Sequence, residues 1–173
     1  AAMDPVSGAV LALVSTPAYD PNDFVMGYTA SAWEALNADE AQPLYNRWLA
    51  SWVPGSSFKP VTAALALTKG TLDPEAEVPN DGLRWQLDSS WGSYYVTTLE
   101  DYSVKNLENA LIHSDNIYFA KAAVGMGAES FGEGLDSLGF GEELPFDFAL
   151  TASSYGTDGE ITSDMEIVGS GYG

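Results

Sequence analysis

Cysteine is absent from the 173 residues, so neither a disulfide framework nor a thiolate zinc site is available. Histidine occurs once, at His113, which excludes a histidine-rich metal site. Positive charge is scarce: six Lys and Arg stand against 25 Asp and Glu, a formal net charge of −19. So acidic a chain lacks the basic face that neutralises a phosphate backbone, so no nucleic-acid partner is expected. An anionic membrane surface is disfavoured for the same reason. Long apolar runs are missing too. The longest obvious one, Ala9 to Val14, is strand-length, far below the roughly 18 residues of a membrane span. The opening Ala1-Ala2-Met3-Asp4-Pro5 has neither the basic region nor the apolar stretch of a signal peptide, and it reads as the middle of a longer chain. The lack of cysteine fits an exported and a cytosolic protein equally. What the sequence does have is 46% hydrophobic and 12% aromatic residues, which excludes intrinsic disorder. The length suits one domain with a core of its own.

Short apolar segments at Ala1–Met3 and Ala9–Ser15 flank the turn cluster Asp4-Pro5-Val6-Ser7-Gly8, a pattern that predicts a β-hairpin. The prolines of Thr16–Asn22 predict a break, and Asp23–Tyr45 reads as a loop with short helical pieces. Pro54-Gly55-Ser56 opens a helix whose apolar face is Val61, Ala64, Leu65 and Leu67 and whose stop is Gly70. Asp73–Tyr102 predicts a loop with one strand pair near Leu83–Leu87 and Tyr94–Thr98. Val104, Leu107, Ala110 and Leu111 begin a helix, Ser114-Asp115-Asn116 interrupts it, and Ile117, Ala120, Lys121 and Val124 resume it. Phe131, Leu135 and Leu138 mark a further helix closed by Gly139, and Gly141–Glu166 reads as an acidic loop.

Two short motifs bear chemistry. In Ser56-Ser57-Phe58-Lys59, three positions along a helix put Ser56 and Lys59 on one face. A lysine made neutral by burial and by the positive helix end can take the hydroxyl proton and turn Ser56 into a nucleophile. Backbone N–H groups at the helix start then stand where an oxyanion would form. The competing reading is a capped helix, with Ser56 or Ser57 at the N-cap and Lys59 in solvent. Ser114-Asp115-Asn116 lies between helices, where loops commonly present reactive polar groups. The competing reading is again a cap, with Ser114 or Asp115 starting the helix at Ile117. Found together in this order, S-x-x-K and S-D-N belong to a known catalytic set whose third member is K-T-G.

The chain resembles the transpeptidase domain of class B penicillin-binding proteins. Asp4-Pro5, Gly8, Leu11–Ser15, Pro17 and Asp20-Pro21-Asn22 are similar to that family's opening strand pair. Asn46-Arg47 and Pro54–Pro60 resemble the stretch around its nucleophile, and Gly169–Gly173 the segment before its later helices. Trp85-Gln86, Trp91-Gly92 and Tyr95-Val96-Thr97 are similar to the low-affinity subgroup responsible for methicillin resistance. The resemblance implies an α+β, β-lactamase/transpeptidase-like fold: a helical cluster with the first strand pair of an antiparallel sheet. It implies Ser56 as the acylated nucleophile, Lys59 as the base, Ser114 as proton relay, and Asn116 as holder of the substrate amide and of Lys59. It implies peptidoglycan stem peptides and β-lactams as partners, no cofactor or metal, and a place on the extracytoplasmic face of the bacterial envelope. A β-lactam sensor and a serine β-lactamase are the alternative readings, and a scaffold with a decayed site is the non-enzymatic one.

The third motif is missing. None of Arg47, Lys59, Lys69, Arg84, Lys105 and Lys121 is followed by Thr-Gly or Ser-Gly. The expectation is therefore that residues 1–173 are the N-terminal portion of such a domain, truncated at both ends. Such a piece is expected not to acylate at a useful rate alone, and to leave the hairpin edge apolar, open and prone to self-association. For His113 the expected role is a helix-end residue rather than a partner of Ser114. Trp48, Trp52, Trp85 and Trp91 are expected in core and loop packing rather than a sugar groove. The acidic Glu142–Glu166 region is expected to be a solvated surface rather than a calcium site.

Overall fold

The computed structural model describes residues 1–80 and 82–173. It resolves into two compact units, one of residues 1–51 with 143–151, the other of residues 52–142 with 152–173.

The first unit opens with strands β1 (Ala2–Met3) and β2 (Val10–Ala12), paired antiparallel as Ala2 with Ala12 and Met3 with Val10. The predicted hairpin is present but shorter than the apolar pattern, and its register slips between Ala2 and Met3. The Asp4 carboxylate tightens its turn by accepting from the Val6 N–H and the Ser7 hydroxyl. Leu11 and Val14 are 69% and 72% exposed. The expected break holds over Thr16–Asp20, while Pro21 and Asn22 already begin a helix. Asp20 accepts from the Asn22 N–H as N-cap and Pro21 occupies the first turn of α1 (Pro21–Met26), where its missing N–H costs nothing. Helix α2 (Ala30–Ala38) follows, capped by Thr29. Phe24 meets Tyr19, Tyr28 and Trp33 edge-on or nearly so, with centroids 5.0–6.0 Å apart. Arg47 donates to the carbonyls of Ala41, Gln42 and Tyr45, and Trp48 packs on Phe148 at 5.1 Å.

The second unit is a helical cluster around α5 (Asn116–Met126). Against it lie α3 (Lys59–Thr68), α6 (Ala128–Asp136) and α7 (Asp164–Tyr172), with α4 (Leu107–Ile112) packed on α3. Ile117, Phe119, Ala120, Ala123, Phe131, Leu135 and Val168 are fully buried here. Each large apolar side chain so buried contributes about 1.5–3 kcal/mol. A second two-stranded antiparallel ribbon, β3 (Arg84–Trp85) with β4 (Val96–Thr97), stands on this core through Val96 and Trp91. Trp91 is buried and meets Trp85 edge-on at 5.7 Å, so these two tryptophans are packing residues; Trp52 is 64% exposed. Helices with two short antiparallel pairs make the fold α+β.

Helix α7 falls where the sequence reading ended an acidic loop. The signal was present: Ser163 and Glu166 stand three apart, and the Ser163 hydroxyl accepts from the Glu166 N–H. Gly169 and Gly171 hid it, because glycine is a poor helix former. Gly171 is there for contact: an added Cβ would lie 2.4 Å from Ala123 Cβ.

Candidate active site

The chain enters α3 through a 3₁₀ turn, Gly55–Phe58, rather than through an α-helical start at Ser56. Gly55 has φ +59, open to glycine and costly for other residues. In a 3₁₀ turn residues i and i+3 eclipse, which stacks Lys59 directly on Ser56. The result is a Lys59 Nζ to Ser56 Oγ distance of 2.9 Å. Neither serine caps the helix: the Ser57 hydroxyl donates back to the Pro54 carbonyl, and Lys59 is 2% exposed rather than solvated. Ser56 itself is exposed, so the hydroxyl is reachable while the amine is dry.

The second motif arrives between α4 and α5. Asp115, 1% exposed, is the N-cap of α5; its carboxylate accepts from the Ile117 and Tyr118 N–H groups at 2.8 and 3.2 Å. The capping expectation for this motif thus holds for Asp115. Ser114 is a non-glycine residue at φ +51, a conformation that costs of the order of 1 kcal/mol or more. That turn aims two of its atoms at one place, the carbonyl at 2.6 Å and Oγ at 2.8 Å from Lys59 Nζ. Asn116 Oδ1 is 2.6 Å from the same nitrogen. Asn116 Nδ2 donates to the Thr97 carbonyl at 3.0 Å, which fixes which end of the amide faces Lys59. The Ser114 hydroxyl also donates to Ser56 Oγ at 3.0 Å. All four residues of the two motifs therefore meet at one amine.

The shell limits how the Lys59 amine is hydrogen-bonded in each protonation state. The Ser114 carbonyl and Asn116 Oδ1 can only accept, so they use two N–H bonds of Lys59. An ammonium fills both and has a third N–H for the Ser56 or Ser114 Oγ. A neutral amine fills both and turns its lone pair to the Ser56 hydroxyl, because the Ser114 hydroxyl already donates to Ser56. Burial pushes the Lys59 amine below the usual lysine range, and the Asp115 carboxylate partly opposes this.

Sequence reasoning missed two contributors. Thr97 orients Asn116 from a strand 19 residues away, and Tyr102 donates to Asp115 Oδ2 at 2.8 Å. Neither has a local signature. His113 ends α4, stacks on Tyr102 and pairs through Nδ1 with Glu100, while the Ser114 hydroxyl faces Ser56 and Lys59. Among the described residues no three His, Asp or Glu side chains converge as a metal site would require.

All 173 residues match the model of the penicillin binding protein transpeptidase domain. The chain belongs to that family. It is 43% identical over 173 residues to Penicillin-binding protein 3 of Bacillus subtilis, covering 99% of this chain and 26% of that protein. It is 35% identical over 147 residues to the peptidoglycan D,D-transpeptidase MrdA of Escherichia coli, covering 84% of this chain and 23% of that protein. PBPA from Mycobacterium tuberculosis superposes with a TM-score of 0.81 at 26% identity, over 99% of this chain and 40% of that one. The same enzyme has been solved as a penicillin G acyl-enzyme, with a TM-score of 0.74 to this chain, 26% identity and coverage of 99% and 40%. This transpeptidase-family chain thus spans about a quarter of the length of its sequence relatives.

Proposed function

We propose that the protein is a serine acyltransferase of peptidoglycan crosslinking, a D,D-transpeptidase, with Ser56 as nucleophile and Lys59 as base. The observation that carries this reading is the shell around Lys59 Nζ: a dry amine 2.9 Å from an exposed hydroxyl. Ser56 Oγ attacks the penultimate carbonyl of a stem peptide ending in D-Ala-D-Ala, and its proton passes to Lys59 Nζ. The N–H groups of the turn that opens at Gly55 face the developing oxyanion. Ser114, bonded to both Lys59 and Ser56, relays the proton to the departing D-Ala amine as the C–N bond breaks. An amine on a second stem then attacks the Ser56 ester, forms the crosslink amide and frees the hydroxyl. Asn116 holds Lys59 through Oδ1 and offers its remaining N–H to the substrate amide. A β-lactam follows the first half of this path. Its ring amide opens on Ser56, and the leaving nitrogen stays tethered, so the acyl group persists.

The peptidoglycan-transpeptidase names among the relatives support a place on the extracytoplasmic face of the bacterial cell envelope; no helix among the described residues is long and apolar enough to cross a membrane. The exposed Leu11 and Val14 beside a two-stranded edge support self-association at the hairpin, read as concentration-dependent sedimentation that charged substitutions abolish. The residues Trp85-Gln86 and Trp91-Gly92 support membership of the low-affinity subgroup, which slow acylation by penicillin would bear out.

The deciding experiment labels the full-length protein with fluorescent penicillin and follows the adduct in time. The reading expects an adduct on Ser56 that lasts for hours and is lost in Ser56→Ala. An adduct gone in seconds indicates a lactamase, and an adduct retained by Ser56→Ala refutes the assignment.

A further inference from the structure

Tyr102 lies outside both motifs, yet it reaches the middle residue of the second, between Ser114 and Asn116. Its hydroxyl donates to Asp115 Oδ2 at 2.8 Å, while Asp115 Oδ1 accepts from the Ile117 and Tyr118 N–H groups. The residues on either side of Asp115, Ser114 and Asn116, supply three of the oxygens around Lys59 Nζ. One buried carboxylate thus sits at the centre of the turn that carries those three oxygens.

The Tyr102 ring is itself held. It lies parallel to the His113 ring, with centroids 4.3 Å apart and planes 13° from each other. Lys105 Nζ sits 4.3 Å from its centroid and donates to the Tyr102 carbonyl. The other charged groups of this cluster are matched: Lys105 with Asp101, and His113 with Glu100, each at 2.5 Å. Of the helices packed against α3, α7 carries Tyr172, bonded to Tyr94, and α5 carries the buried Tyr118. Lys69, at the far end of α3, pairs with Glu133 on α6. Asp115 is the carboxylate whose charge acts on Lys59.

We propose that Tyr102 is a positioning residue for acylation: by donating to Asp115 it seats the Ser114–Asn116 turn around Lys59 and spreads the carboxylate's charge away from the amine. This rests on Lys59 being the base. A carboxylate whose negative charge is shared with a phenol hydroxyl attracts the nearby ammonium less, so the amine gives up its proton at lower pH. Desolvation of Lys59 acts in the same direction, and Asp115 against it.

The test uses the full-length protein and the pH dependence of its acylation by fluorescent penicillin. Tyr102→Phe keeps the ring, its stack on His113 and its Lys105 contact, and removes only the donor. The limb that rises as Lys59 deprotonates moves to higher pH by roughly half a unit, about threefold slower at a fixed pH below the midpoint. Asp115→Asn, which removes the charge but keeps an acceptor, moves the same limb to lower pH. In the Asp115→Asn background the Tyr102→Phe shift disappears. An unmoved limb in Tyr102→Phe overturns the inference, even if the melting temperature falls, because a merely structural hydroxyl would do that. An equal shift in both backgrounds also overturns it. A wild-type protein acylated away from Ser56, or with no such limb, overturns the base assignment itself and this inference with it.

Discussion

The close approach of α7 to α5 gives a sharp stability test. At Gly171, an added Cβ would stand 2.4 Å from Ala123 Cβ and 3.1 Å from the Phe119 carbonyl oxygen. Carbon atoms rest about 3.5–4.0 Å apart, so α7 would have to retreat from α5 by over about 1 Å. Overpacking of this kind costs about 1–3 kcal/mol. The retreat also strains the buried bond from the Thr62 hydroxyl to the Gly171 carbonyl, 2.7 Å long, which adds about 1 kcal/mol. Against this, alanine is favoured over glycine inside a helix by about 1 kcal/mol. The balance is a loss of about 1–3 kcal/mol for Gly171→Ala. The control is two residues away on the same helix: nothing lies within 4 Å of a Cβ at Gly169, so Gly169→Ala should gain about 0.5–1 kcal/mol. Urea unfolding reads both as changes in midpoint at constant slope. Two alanines of opposite effect in one helix are expected. If Gly171→Ala is as benign as Gly169→Ala, the close packing of α7 on α5 is wrong.

Further outcomes follow from other residues. Phe131 is fully buried in the cluster, so Phe131→Ala should cost about 3–5 kcal/mol in the same unfolding assay. The Glu166 carboxylate is held down to about 2 by the Thr157 and Thr162 hydroxyls and the Thr162 N–H. A depressed carboxylate stabilises above its unfolded value of 4.5 and loses that contribution as pH falls through about 2. Glu166→Gln should therefore be less stable than the parent at pH 7, with the gap closing between about pH 4.5 and 2; a gap independent of pH would contradict this. Lys59→Ala should slow penicillin acylation by about 10²–10⁴-fold, the usual worth of a positioned base, and a rate near the parent's would remove Lys59 from the chemistry.

What was legible in the sequence was whatever depends on spacing along the chain. Ser56 and Lys59 share a face in either an α-helix or a 3₁₀ turn, so their meeting survives the change of helix type at Gly55–Phe58. The break at Ser114-Asp115-Asn116 was legible because polar residues interrupt an apolar period. Its left-handed turn at Ser114, which aims carbonyl and hydroxyl together at Lys59, was not. Asp20-Pro21 read as a break because proline is a breaker inside a helix, whereas here it follows an N-cap. Helix α7 was lost to its glycines; the role of Gly171, contact with Ala123, is visible only in three dimensions. The ties from Thr97 to Asn116 and from Tyr102 to Asp115 join separate elements, and no periodicity encodes them.

The central claim is that burial beside Ser56, among four oxygen contacts, makes Lys59 give up its proton more readily than an ordinary lysine. The chain has only four lysines, Lys59, Lys69, Lys105 and Lys121, so a pH titration of selectively labelled lysine side chains by NMR can follow each one. The account predicts that the Lys59 signal, identified by its loss in Lys59→Ala, titrates below the ordinary lysine range. A Lys59 that holds its proton up to the ordinary lysine range, near 10.5, would contradict it.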